Sequence, residues 1–204
     1  MIIIDDYDQL SDEWFQARLG NPGASNFSKI ITTKGEPSKQ ADDYMYQLAG
    51  ELVSKQAESS FSTPWMERGT QLESEARDLY SLVNGVDVLL QCALVYYDER
   101  KDRHCSPDGL VSDHGLEIKC PMAKTHVKYL LNGSKLPTEY FQQVQGSMYI
   151  CGFDSWDFVS YSPGLPMFQL TVERDEKFCR KLDAVLDEFC GKLADVVAKL
   201  KAMQ

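Results

Sequence analysis

From its N-terminus the chain runs first through helix-patterned segments and then through strand-patterned ones. "SDEWFQARLG" predicts a short helix opened by Ser11, with Glu13 in its first turn and Gly20 as its stop. "ASNFSKII" predicts a second short helix. In "SKQADDYMYQLAGELVSKQ", Ala41, Tyr44, Leu48, Leu52 and Val53 fall at helical spacing. Pro64, a favoured first helical residue, opens a longer helix that ends at Gly85. The period then changes. "VDVLLQCALVYYD", "LEIKC", "WDFVSYS" and "MFQLTV" are short and rich in β-branched and aromatic residues, as strands are. "THVKYLL" and "TEYFQQVQGSMYIC" return to helical spacing. The final "DEKFCRKLDAVLDEFCGKLADVVAKLKAM" aligns Phe178, Leu182, Val185, Phe189, Leu193, Val196 and Leu200 on one stripe of a long helix, which is expected to cover the sheet.

This order implies an α/β or α+β domain around a central sheet. The 204 residues suit one full core, and no repeat, low-complexity tract or linker divides them, so a single domain over 1–204 is expected. The opening "MIIIDDYDQLSDEW" turns acidic after three isoleucines, which fits neither a signal peptide nor a membrane span. A soluble protein is therefore expected. The six cysteines, at 92, 105, 120, 151, 179 and 190, show no C-x-x-C spacing and read as reduced thiols of a cytosolic protein. His104, Cys105, His114 and Cys120 fit no common structural zinc spacing.

The net charge of −10 argues against a general nucleic-acid binder, but its distribution changes the picture. Residues 14–35 hold no acid, yet carry Arg18, Lys29 and Lys34. Residues 118–138 hold none either, and carry Lys119, Lys124, Lys128 and Lys135. The second island begins at the segment with the densest candidate chemistry, "CSPDGLVSDHGLEIKCP". In a strand, Glu117 and Lys119 point to one side and Ile118 to the other, so Ile118 belongs to the core and the charged pair to a cleft. Asp108 lies in a Pro-Asp-Gly turn that can return its carboxylate to that strand. Converging carboxylates repel unless a cation neutralises them, and a hard divalent ion such as magnesium fits an all-oxygen site. A lysine beside it can stabilise phosphate charge or orient water. Glu73 and Arg77 share a helix face at i, i+4, which suits a surface ion pair as well as a third carboxylate of the site. Gln145 and Tyr149 share a face in the same way, as a buried-edge pair or as a contact to substrate.

These residues resemble the Pro-Asp…Glu-x-Lys core of the restriction-endonuclease-like nuclease superfamily. The match is closest to the phage lambda exonuclease (YqaJ-type viral recombinase) family. "EWFQARLG…AS", "RGTQLESEAR", "QVQGSMYI" and "VERDEK" follow in that family's order, so the resemblance spans nearly the whole chain. It implies an α/β restriction-endonuclease-like fold, with a central mixed β-sheet flanked by α-helices. It further implies a magnesium-dependent exonuclease, with manganese as a substitute, that digests one strand of linear double-stranded DNA from the 5′ end. The 3′ overhang would pass to a single-strand annealing protein. On the same resemblance, Asp108, Glu117 and the carbonyl of Ile118 would be metal ligands, Lys119 would position or deprotonate water, and Glu73 would complete the acidic cluster. Arg18 and Ser25 would hold the 5′-phosphate, Ser106 and Gln145 would lie beside the scissile strand, and Trp65 or Met66 would split the duplex. The family also implies a homotrimeric ring and a phage or prophage origin, acting in the cytoplasm of a bacterial host. A site-specific endonuclease or junction resolvase shares the same core, and an inactive DNA-end-binding relative is the non-enzymatic alternative.

Overall fold

The computed structural model describes residues 1–7, 9, 11–57, 64–88 and 94–204, with no side chains at 64–66. Six α-helices occur among them: α1 (Asp12–Arg18), α2 (Ala41–Ser54), α3 (Pro64–Asn84), α4 (Ala123–Leu131), α5 (Phe141–Cys151) and α6 (Glu176–Lys201). The strands are β1 (Ile2–Ile4), β2 (Leu94–Tyr96), β3 (His104–Cys105), β4 (Gly109–Leu110), β5 (Gly115–Lys119), β6 (Ser155–Ser160) and β7 (Phe168–Glu173). The Ser11 side chain accepts a hydrogen bond from the Trp14 N–H and so caps α1, and Gly20 and Gly85 take the left-handed backbone that ends their helices.

Several expectations change. The opening isoleucines form β1, antiparallel to β2. "ASNFSKII" winds as a 3-10 helix over Ala24–Lys29. Within "VDVLLQCALVYYD" the described strand is Leu94–Tyr96, and residues 89–93 lie outside the described residues. Among the described residues the strands fall into two sheets, ordered β1-β2-β3 and β4-β5-β6-β7. The second is mixed: β5 and β6 run parallel, while β4-β5 and β6-β7 are antiparallel.

Alternation along the strands separates two cores. Leu116, Ile118 and Val159 face α3, where they pack with Ala76 and Tyr80. Trp156 and Phe158 face the larger core with α5, α2 and α6. The stripe of α6 packs chiefly on α2 and α5, one layer further out than expected, because α5 already lies against both sheets. Glu117 is paired in register with Phe158 and therefore sits on the α5 face. That placement builds the site.

Candidate active site

β4, β5 and the loop before them bring the predicted acids together. The Asp108 carboxylate turns back onto β5, and its Oδ2 accepts the Ile118 N–H at 2.6 Å. Glu117 is buried beneath α5, ion-paired to Lys119, and its Oε1 also accepts a 2.6 Å hydrogen bond from the Gln143 side chain. Ile118 points the other way, into the core under α3. Glu73 is ion-paired and also lines the cleft beside Asp108. It bonds Arg77 at 2.5 Å, and Arg77 Nε donates to the Asp108 carbonyl at 2.8 Å, so the ion pair ties α3 to the acidic turn.

Electrostatics confirm that the carboxylates feel one another. Burial, then repulsion from Asp108, pushes Glu73 up to about 7. Burial pushes Glu117 up to about 7 as well; Lys119 pulls against it and Asp108 adds to it. Asp108 is also raised by burial, against the pull of Lys119, the Ile118 N–H and Arg77. Burial disfavours the Lys119 ammonium, yet Glu117 and Asp108 outweigh it and hold the lysine protonated. Among the described residues no three acid, histidine or cysteine side chains converge closely enough to hold a metal by themselves. The donor set nevertheless fits a hard divalent ion: oxygen ligands only, a negative cluster in partial burial, and one oxygen of Asp108 and of Glu117 left outside the hydrogen bonds above. Backbone and water would complete the shell.

A cleft of about 180 Å³ joins this cluster to the first basic island. Its wall includes Glu73, Asp108, Ser106, Gln143, Ser25, His104 and Arg18. The Ser106 hydroxyl is buried there without a hydrogen-bond partner among the described residues. Arg18 lies over the Trp14 ring, 3.8 Å from its centroid, and its Nε donates to His104 Nε2 at 3.2 Å. Desolvation lowers its pKa to about 10, and no carboxylate forms an ion pair with it among the described residues. A desolvated cation of this kind is prepared for an anion.

Gln145 is a correction. Its side chain is buried away from the cleft, donating to the Glu173 carbonyl at 2.9 Å and accepting the Asp175 N–H at 2.8 Å. It anchors the start of α6, and Tyr149 likewise serves packing, through Asp183 and Arg103. Gln143, two residues earlier on α5, occupies the cleft instead. The basic islands also divide: Lys34, Lys124, Lys128 and Lys135 are exposed, and Lys29 lies over Tyr44, which leaves Arg18 and Lys119 near the chemistry. The four zinc candidates are dispersed, with His104 on Arg18, His114 on Tyr80 and Asp113, and Cys105 against Cys151. The side chains of Trp65 and Met66 lie outside the described residues.

The model of the YqaJ-like viral recombinase domain matches residues 13–154, which contain every residue of the cluster and cleft named above. The chain belongs to the YqaJ-like viral recombinase family. Within it, the structure resembles an alkaline exonuclease (LHK-Exo) from Laribacter hongkongensis, with 32% identity, TM-score 0.84, and coverage of 95% of this chain and 97% of the other. The same enzyme in complex with dAMP matches at 31% identity and TM-score 0.84, with the same coverage. A phage-related exonuclease from Haemophilus somnus 129PT shares the fold at 14% identity and TM-score 0.69, over 90% of this chain and 96% of that one. The Escherichia coli (strain K12) protein ExoD is 30% identical over 78 residues, 36% of this chain and 90% of ExoD. The fold of this YqaJ-family chain is thus restriction-endonuclease-like.

The two glutamines give a prediction. Gln143→Ala should lower catalytic efficiency about ten- to a hundredfold, because it removes the side chain that orients the buried Glu117 carboxylate. Gln145→Ala should remove the side-chain partner of two part-buried backbone groups and cost about 1 kcal/mol of stability. Chemical denaturation with activity assays on the folded variants separates the two, and the reverse pattern would contradict the assignment.

Proposed function

We propose that the chain is a divalent-metal-dependent exonuclease that hydrolyses one strand of linear double-stranded DNA from its 5′ end and leaves a 3′ overhang. The observation that carries this reading is a single cleft lined both by the carboxylates of Glu73 and Asp108 and by a desolvated arginine that has no carboxylate ion pair among the described residues. The exonuclease named among the similar structures, and its complex with a nucleoside monophosphate, support the class of substrate.

On this reading Asp108, Glu117 and the Ile118 carbonyl hold magnesium, for which manganese substitutes. The bound ion supplies Lewis-acid polarisation of the phosphoryl oxygen and a water of lowered pKa. Lys119, held protonated by its two carboxylate neighbours, has no lone pair with which to take a proton, which favours water positioning and charge stabilisation over deprotonation. Glu73 adds negative potential and, through Arg77, fixes the Asp108 turn. Ser106 and Gln143 line the path of the scissile strand, and Arg18 with Ser25 takes the terminal phosphate.

The ring of three subunits, the annealing protein and the cytoplasm of a phage-infected or prophage-bearing bacterium belong to the same proposal, on the family resemblance. A chain at −10 holds DNA poorly through a diffuse field, so a topological link is the physical advantage of a ring. No helix among the described residues is long and apolar enough to cross a membrane.

The test of the terminal-phosphate arm compares duplexes ending in 5′-phosphate and 5′-hydroxyl. The parent should prefer the phosphate by about tenfold or more, the order of one charge-assisted contact. Arg18→Ala should remove most of that preference. Equal rates in the parent would overturn the role given to Arg18.

A further inference from the structure

His104 is buried on β3, and the mechanism above does not use it. Its ring is fixed from several sides. The backbone pairs with Tyr96 on β2, its N–H donates to the Pro22 carbonyl at 3.1 Å, and Tyr96 meets the imidazole edge to face. Gly23 lets the ring come close: a Cβ there would sit 2.7 Å from His104 Nε2. That same Nε2 receives the Arg18 Nε–H at 3.2 Å.

The chemistry of this contact has one solution. Arginine Nε carries a hydrogen and can only donate, so His104 Nε2 must present a lone pair and the imidazole proton must sit on Nδ1. Nδ1 is buried with no hydrogen-bond partner among the described residues. A buried donor without an acceptor is unfavourable, and it calls for a compensating reason. Burial and the neighbouring Arg18 charge push the imidazole down to about 3, so it stays neutral at any working pH. Trp14 meanwhile supports the face of the guanidinium.

We infer that His104 is a positioning residue for Arg18: it holds the guanidinium by Nε and leaves both terminal NH₂ groups for a phosphate. The inference rests on the reading of Arg18 as the terminal-phosphate ligand. Holding the fork in advance removes the ordering cost that a free arginine side chain would bring to each binding event.

Two measurements test it. In the protein without DNA, imidazole ¹⁵N shifts of His104 at neutral pH should show Nδ1 protonated and Nε2 bare; a proton on Nε2 would overturn the inference directly, whatever the activity. The second is the ratio of kcat/KM on 5′-phosphate ends to that on 5′-hydroxyl ends. His104→Leu and His104→Asn, which withdraw the acceptor from the Nε2 position, should lower that ratio about tenfold, mainly through KM, whereas His104→Gln, which can return an oxygen there, should hold it within about threefold. A purely structural histidine would lower both rates together and leave the ratio alone. Adding His104→Leu to Arg18→Ala should cause no further fall in the ratio. A parental ratio in His104→Leu, an equal fall in His104→Gln, or additive losses in the double variant would each refute the positioning role while the Arg18 reading stands. A parental ratio in Arg18→Ala would instead remove the Arg18 reading, and the inference with it.

Discussion

Asp108→Asn is expected to reduce DNA hydrolysis by at least about a thousandfold while leaving the fold in place. The asparagine oxygen can still accept the Ile118 N–H, and Arg77 bonds the backbone carbonyl, so the turn keeps its supports. On the proposed reading, what disappears is the negative charge of a metal ligand. Metal-assisted phosphoryl chemistry draws several kcal/mol of transition-state stabilisation from the ion, and about 1.4 kcal/mol is tenfold in rate. The check is a rate measurement on linear duplex with thermal melting as the control for folding. EDTA should abolish the parent's activity to the same degree. An Asp108→Asn variant that retained even a tenth of the parental rate would remove Asp108 from the metal site.

Cation binding should weaken steeply with acid. Metal ligands must be deprotonated, and in the metal-free protein Glu117 and Glu73 are pushed up to about 7, with Asp108 raised beside them. Affinity for magnesium should therefore rise with pH up to about 7 and then level. Below that it should fall about tenfold per pH unit for one displaced proton, and about a hundredfold for two. The stability of the metal-free protein follows the same groups. The folded pKa values exceed the ordinary 4.5, so between 4.5 and about 7 the folded state keeps protons that the unfolded chain has lost. Stability contributed by these groups is present below 4.5 and is lost as pH rises through about 7. A fixed magnesium concentration that saturates the site near about pH 8 should then raise the melting temperature by several degrees there and hardly at all near about pH 5.5. Equal shifts at the two pH values would contradict the carboxylate site.

The core of the site was legible because its signals are local. Strand alternation separates Glu117 and Lys119 from Ile118, and the turn after Pro107 returns Asp108 to the same strand; neither needs knowledge of distant packing. Ser11, Gly20 and Gly85 were legible for the same reason, since caps and stops are set by a few neighbouring residues. Gln143 was not. A step of two residues turns a helix by about 200°, so Gln143 and Gln145 face opposite sides, and only the packing of α5 decides which side meets Glu117. The two-residue strand that carries His104 has no periodicity to read, and its contact with Arg18 crosses 86 positions of sequence. The N-terminal isoleucines carry no alternation either, and they become a strand because β2 offers them an edge.

The most direct test of the central claim uses two DNA substrates of the same sequence, one linear duplex labelled at its 5′ ends and one covalently closed circle, each incubated with magnesium. The account predicts that the linear DNA loses its 5′ label from the earliest times as mononucleotide and becomes single-stranded with intact 3′ ends, while the circle stays closed. Cleavage of the circle, or loss of the 3′ ends ahead of the 5′ label, would contradict it.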